Sequence, residues 1–539
     1  MTEWAVAASP GVLILTGNAG TGKTALVEAY CESLGVNRPT ADGLVEVAPN
    51  CFAVKDFSGI PQEERAAVVG LSREIRGGRA AQLFICANEG VLREALSEDP
   101  DPELEGLLSA ALEGGAYRAE AAHGVTIVNM NRQRWTSEEM WGRLLDYFVR
   151  EELWTGCEGC AASGSCPIKA NAEALRRDGP REAARRLVQF ASGSSVSTLR
   201  ELLSIISHGI TGGLNCEEVK AAQAPFDASS GYFNLLLGEG LSRERLERST
   251  LIQEMRSAEL GAVADVEVDG WLRDPESAPK LVGELAGPAE PTPHALVRTG
   301  IGDLTFRDFG ETISVSDDPA KVEICLQDYV TGGKILELWR RRVFFEAQPA
   351  LGGWKAGFSR LTNLSFFGAL IEVAEAVREG RSTTEIRQVL LTGLNYLTAG
   401  FGKFGGFLVV PDPGSLASRN PGSFRLPEPS IVHSRVVVDR VRLEQEDGPE
   451  LIELLDTDDV RIVLSARADG GTSRMLVTPR LFEVALRSGR FRSPAGADLP
   501  EMNELLGFYA ALSAGSAQGQ LEVVDPSSGV IRSITLPAL

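Results

Sequence analysis

Gly17-Asn18-Ala19-Gly20-Thr21-Gly22-Lys23-Thr24 spells the pattern G-x-x-x-x-G-K-[ST]. In this pattern glycines let backbone N–H groups converge on phosphate oxygens. The flanks support the reading. Val12-Leu13-Ile14-Leu15 is an apolar run that reads as a buried strand, and Ala25-Leu26-Val27-Glu28-Ala29-Tyr30 reads as a helix. A strand, a Gly-rich turn and a helix form the context in which α- and β-phosphates sit at a helix N-terminus. Lys23 is then the side chain that reaches the β- and γ-phosphates, and the Thr24 hydroxyl is a Mg²⁺ ligand.

Working outward, Cys51-Phe52-Ala53-Val54-Lys55-Asp56-Phe57 reads as a second strand. An acidic residue at the end of such a strand is where a phosphoryl-transfer site holds Mg²⁺. Asp56 is that candidate, although Lys55 interrupts the apolar run and a solvated strand-end aspartate fits equally well. Pro61-Gln62-Glu63-Glu64 opens a helix through about Ile75. Gln82 to Gly90 gives a third strand ending in Asn88-Glu89-Gly90. Ligands bind outside the carboxyl ends of strands in open α/β sheets. Asn88 is therefore a candidate for placing an attacking water, with Glu89 polarising it, against the plainer reading of a turn. Helical spacing from Val91 to Leu112 breaks at Asp99-Pro100-Asp101-Pro102, and Gly124 to Arg132 reads as a fourth strand. This alternation predicts a parallel sheet with helices on both faces. Arg93 and Arg132 could act as fingers toward a neighbouring copy, though surface arginines are the simpler reading.

The chain has 539 residues, enough for about three domains. The expected division is 1–135 for nucleotide binding, 136–260 as a helical lid with a Cys-rich insert, 261–350 as linker and helical connector, and 351–539 as an α+β region. Asp plus Glu number 74 against 53 Lys plus Arg, a net charge of −21. Such a balance opposes a broad nonspecific DNA-binding face. The start Met1-Thr2-Glu3-Trp4 lacks the basic residues of a secretory signal, and no apolar run reaches membrane-spanning length. A cytoplasmic location is expected. The eight cysteines are then core residues or ligands rather than disulfides.

Segment 137–261 is mostly helical in pattern, with one helix expected from Met140 to Leu153. It carries Cys157-Glu158-Gly159-Cys160 and then Cys166-Pro167. Three cysteines so spaced can converge on Zn²⁺ as thiolates. The fourth ligand would come from Cys216, His208 or a more distant cysteine, and an iron–sulfur cluster is the alternative. Ser197 or Thr198 can cap a helix running through Ile206, with Glu201 favourably near its start. Arg200 lies in its first turn, either touching a γ-phosphate or facing solvent.

Pro279 to Pro293 holds four prolines and reads as a linker. Trp339-Arg340-Arg341-Arg342-Val343-Phe344-Phe345 is the densest basic–aromatic cluster. It could touch nucleic-acid phosphates and bases, while a helix with a solvated basic face is the simpler reading. Further on, helices are expected at Leu364–Val377, Glu385–Leu397, Leu481–Leu486 and Met502–Leu512. Strands are expected at Ser434–Leu443, Val460–Ser465, Ser473–Val477, Gln520–Val524 and Val530–Leu536. Asp412 to Pro429 reads as loop. With four histidines in the chain, no His-centred triad, metalloprotease helix or nuclease carboxylate cluster is visible.

The order of these signals resembles the DptF-type P-loop ATPases of bacterial restriction and antiphage systems. The resemblance rests on Gly17–Thr24, the strand ending at Asp56, Leu83–Leu96, Val125–Arg132 and the helix Thr198–Ile206, and covers about the first 260 residues. It implies an α/β P-loop NTPase fold, AAA+-like, with a helical lid. In AAA+ proteins a polar residue ends the strand that Asn88 ends here, and an arginine placed like Arg200 reports the γ-phosphate. It also implies ATP and Mg²⁺ as ligands, a homo-oligomer or defence-operon proteins as partners, and DNA reached through those partners. Three functions remain in view: an ATPase working with DNA-acting partners, a nucleotide-dependent switch or scaffold with little turnover, and a small-molecule kinase. The long helical region disfavours the kinase.

Overall fold

The structure, a computed structural model, describes residues 10–33, 43–113, 118–120, 124–132, 135–193, 198–222, 230–273, 336–399, 408–410, 431–432, 434–436, 440–445, 462–468, 471–491, 520–524 and 531–535, with a few isolated positions besides. It is α/β: a mostly parallel sheet in the first 130 residues, then mostly helices.

Strand β1 (Gly11–Thr16) leads through the Gly-rich loop into helix α1 (Lys23–Ser33). Strands β2 (Leu44–Ala48) and β3 (Cys51–Val54), helix α2 (Gln62–Arg76), strand β4 (Gln82–Ala87) and helices α3 (Glu89–Glu98) and α4 (Pro102–Glu113) follow. Strands β5 (Arg118–Glu120) and β6 (Val125–Asn129) complete a six-stranded sheet of order β2-β3-β4-β1-β6-β5. β3, β4, β1 and β6 are parallel, and β2 and β5 are antiparallel edges.

Every residue of β1 is buried, as a central parallel strand covered on both faces requires. Alternate side chains part to opposite sides. Val12, Ile14, Leu83, Ile85, Val125 and Ile127 meet Val68, Leu92 and Leu108 of α2, α3 and α4. Leu13, Leu15, Phe84 and Cys86 meet Val27, Tyr30 and Cys31 of α1 on the other side. Thr16 pairs with Ala87 and with Asn129. The carboxyl ends of β4, β1 and β6 are therefore level, and the loops leaving them open on one edge.

The second strand stops sooner than its sequence suggests. It ends at Val54, because Lys55 turns out to pair with Glu28 at 2.9 Å and Phe57 donates its N–H to Cys86 of β4 at 2.9 Å. The edge strands β2 and β5 were not legible.

The helical region contains α5 (Glu138–Val149), α6 (Pro167–Arg176), α7 (Asp178–Ser192), α8 (Leu199–Thr211) and α9 (Cys216–Ala222). α5 ends before Leu153; Glu151–Leu153 is a separate 3₁₀ turn. One hydrophobic core joins Trp141 and Leu145 of α5, Phe190 of α7 and Ile206 of α8 to Phe344, Phe358, Phe367, Leu390 and Phe482 much later in the chain.

Trp339-Arg340-Arg341-Arg342 is neither a nucleic-acid surface nor a solvated face. Trp339, Arg340 and Arg342 are buried. Arg340 grips Asp269 with two bonds of 2.6 and 2.9 Å, Arg341 pairs with Glu337, and Arg342 reaches Glu346 at 3.5 Å. The guanidinium groups hold the fold together from within.

Later strands form small antiparallel sheets: Ile462–Ala468 pairs with Gly471–Val477 and with Arg440–Gln445, and Gln520–Val524 pairs with Ile531–Thr535. The stretch Ser434–Leu443, expected as one strand, divides between two sheets. Pro479–Phe491 is a helix. Almost all of Pro279–Pro293 and the whole of Asp412–Pro429 lie outside the described residues.

Candidate functional site

The loop after β1 turns on three glycines with positive φ: Gly17 at 138°, Gly20 at 88° and Gly22 at 87°. It bends back over the start of α1. The Asn18 N–H donates to Asn131 Oδ1 at 2.7 Å, and Thr21 Oγ1 donates to Asn18 O at 3.0 Å. Ala19, Gly20, Gly22, Lys23 and Thr24 line a cavity of about 1200 Å³ between the loop and α8.

Lys23 is buried and folds into its own loop. Its Nζ donates to Gly17 O at 2.7 Å, to Asn18 O at 2.8 Å and to Asn88 Oδ1 at 3.2 Å. Burial pulls its pKa below the usual lysine value, and the neighbouring Cys86 and Asp56 pull the other way. The ammonium is thus held by three neutral oxygens at the level edge of the sheet. The Thr24 hydroxyl points to Lys55 O at 3.5 Å.

Asp56 is exposed on the cavity wall, close enough to Lys23 to act on its charge. One carboxylate oxygen accepts the Ser58 N–H at 2.9 Å. Asn88 precedes α3 at the capping position but does not cap it. Its side chain instead bridges Lys23 and Ser58, donating to Ser58 Oγ at 3.3 Å. A good capping residue is thereby turned toward the cavity.

Glu89 goes elsewhere. Its carboxylate pairs with Arg93 at 3.0 Å one helical turn on, and it is not among the cavity walls. Arg93 is engaged by that pair. The Arg132 side chain lies outside the described residues.

The opposite wall is α8. Thr198 caps it, accepting the Glu201 N–H at 3.2 Å. Arg200 N–H donates to Gly20 O at 3.0 Å, and Arg200 lines the cavity. α8 therefore rests directly on the Gly-rich loop. His208, also on the wall, contacts Glu239 O through Nε2 at 2.9 Å, and burial lowers its pKa. Ser58 and Asn131 had drawn no attention in the sequence. Asn131 stands just beyond β6, which pairs with β1, and that is a signal that could have found it; Ser58 lies four residues past β3, two strands from β1, and carries no such signal.

Ala19, Gly20, Gly22, Lys23, Thr24, Asp56, Asn88 and Arg200 converge on one cavity; Gly17, Asn18, Thr21 and Glu89 are not among its walls. Thr24 and Asp56 supply a hydroxyl and a carboxylate on the same wall, a donor set suited to a hard cation such as Mg²⁺. Cys157, Cys160, Cys166 and Cys216 lie away from this cavity as free, incompletely buried thiols. Among the described residues no three His, Cys, Asp or Glu side chains already stand together as metal ligands. No helix among them is long and apolar enough to cross a membrane. No protein-family model, curated protein or solved structure matches the chain.

Proposed function

We propose that this chain binds Mg-ATP in the cavity between the Gly17–Thr24 loop and α8 and hydrolyses it, as the ATP-driven component of a multi-protein bacterial defence or DNA-restriction system. The observation that carries this reading is the grip on Lys23. A buried ammonium held by the Gly17 and Asn18 carbonyls and by Asn88 can exchange those neutral acceptors for phosphate oxygens. Charge-assisted bonds to phosphate are the stronger kind.

The other roles follow from position. Backbone N–H groups of the loop and the start of α1 cradle the phosphates. Thr24 and Asp56 hold Mg²⁺, which supplies charge neutralisation at the phosphates. Asn88 places the water, with Ser58 fixing its amide. Arg200, tied to Gly20 through its N–H, reports the γ-phosphate to the helical region, which acts as the lid of a P-loop, AAA+-like fold. Phosphoryl transfer asks chiefly for positioning and charge stabilisation. DNA is reached through partner proteins, a reading supported by the acidic net charge and the burial of Arg340 and Arg342.

One observation favours a slower, switch-like use of ATP. The carboxylates on the cavity wall are Asp56 and Glu201, and Glu201 is taken by Ser249 Oγ at 2.8 Å and Leu251 N at 3.0 Å. With Glu89 held by Arg93, no further carboxylate on the wall is available to polarise the water. Steady-state turnover of wild type and Lys23→Ala, with and without DNA, tests the reading. Mg-dependent hydrolysis lost in Lys23→Ala is expected. Turnover that survives in a folded Lys23→Ala protein would refute it, and ATP binding with negligible turnover would select the switch.

A further inference from the structure

The first turn of α8 is held differently from the rest of the helix. From Leu202 onward burial fixes it: Leu202, Ile205, Ile206 and Ile210 belong to the helical core. Ahead of Leu202 the backbone is tied by polar bonds, and Arg200 leaves the helix there. Its N–H is bound to Gly20 O, and its side chain lies over the loop, with Nε 3.4 Å from where a Gly20 Cβ would stand. Arg200 is exposed, and its guanidinium makes no hydrogen bond or ion pair among the described residues. Its direction is therefore set by the backbone that carries it.

Glu201 comes next, and its carboxylate is committed. One oxygen, Oε1, accepts the Ser249 hydroxyl at 2.8 Å and the Leu251 N–H at 3.0 Å. Both donors stand at the start of the helix Thr250–Ser257. Ser249 caps that helix, accepting the Ile252 N–H at 3.3 Å through the same hydroxyl. The first N–H groups of a helix lack partners within it and favour negative charge. Glu201 satisfies one of them from outside. The receiving helix is a firm anchor: Leu251, Ile252 and Met255 are buried in the helical core. At its far end Asn363 donates to Ser257 O and to Ala258 O, each at 3.0 Å. Arg200, Glu201 and Ser249 all line the cavity.

We propose that Glu201 is a positioning residue for Arg200: bolted to Ser249 and Leu251, it holds the first turn of α8 so that the guanidinium meets the γ-phosphate. This rests on the reading that ATP binds at the Gly17–Thr24 loop. ADP lacks the γ-phosphate. The contribution of Arg200, and of Glu201 through it, is therefore confined to the triphosphate.

Titration calorimetry of the full chain with a non-hydrolysable ATP analogue and with ADP, each with Mg²⁺, reads the ratio of the two affinities. Arg200→Ala should lower the triphosphate-to-diphosphate ratio about 10- to 100-fold, the worth of one charge-assisted bond. Glu201→Ala should lower it similarly and leave ADP affinity unchanged. In the Arg200→Ala background Glu201→Ala should add nothing, because residues acting as one unit are not additive. Glu201→Gln keeps an oxygen for both donors and should retain most of the ratio. A merely structural Glu201 would instead weaken both nucleotides together. Should Glu201→Ala be insoluble, Ser249→Ala removes one of the two donors and should show a smaller loss with the same dependence on Arg200. An unchanged ratio in Arg200→Ala or Glu201→Ala, equal weakening of both nucleotides, or additive losses would overturn this assignment while leaving ATP binding in place. Absence of nucleotide binding by wild type would overturn the ATP reading and this assignment with it.

Discussion

Lys23 and Asn88 are 65 positions apart and meet at 3.2 Å. Asn88→Ala removes one neutral acceptor from Lys23 and the amide that faces the cavity. ATP affinity should change little, because on binding Lys23 exchanges its neutral acceptors, Asn88 among them, for phosphate oxygens. Hydrolysis should fall about 10²-fold, the scale of a misplaced reactant, because water placement matters on the way to the transition state. Single-turnover hydrolysis alongside equilibrium binding separates the two. Gly20 has a different task. At φ +88° a side chain is strained, and a Cβ there would come within 2.9 Å of Arg200 Cβ. Gly20→Ala should cost about 1–2 kcal/mol in denaturant unfolding and weaken ATP binding by separating the loop from α8. Lys23, Thr24, Asp56, Asn88 and Arg200 line one cavity, and what marked them in the sequence is their residue types at strand ends and helix starts. Ser58 and Asn131 were not so marked, since their roles depend on bonds spanning 30 and 113 positions. The Glu89 expectation failed for a local reason: an arginine four residues on claims it.

At the scale of elements, the strongly patterned pieces were the readable ones. β1, β4 and β6 show apolar runs, and the break between α3 and α4 falls at the Asp-Pro pairs expected to end a helix. The Thr198 cap of α8 was visible too. The edges β2 and β5 were not. They are short, β2 is only half-buried, and an antiparallel edge needs no apolar run. α8 also carries a pH prediction. Desolvation lowers the His208 pKa, so near neutrality the fold holds it uncharged. The unfolded chain takes up a proton at the usual value near 6.5, before the folded chain does. Its stabilising contribution is therefore complete above that value and is lost as pH falls toward the lowered one. Unfolding free energies measured across this range should fall more steeply for wild type than for His208→Gln. Parallel profiles would contradict the account.

The whole molecule is joined by contacts that no local pattern announces. Trp339 to Arg342 was readable as basic and aromatic. Its burial was not, because the partner Asp269 lies 71 positions away. Asp269→Ala would leave the buried Arg340 guanidinium uncompensated. It should destabilise the chain by about 3–5 kcal/mol, seen as a lower denaturant midpoint, with no change in the affinity of folded protein for ATP. At this scale, DNA cleavage by the chain alone is not expected. Metal-dependent cleavage by purified protein, persisting in Lys23→Ala, would reveal a second site. The central claim is that Lys23 and its loop hold the phosphates of ATP. Titration calorimetry of Mg-ATP into wild type and Lys23→Ala tests it most directly. One site per chain is expected for wild type. Loss of a charge-assisted contact worth about 1.5–3 kcal/mol should weaken binding in the variant by about 10- to 100-fold, with its unfolding midpoint nearly unchanged. Equal affinity in the two folded proteins, or no binding by wild type, would contradict it.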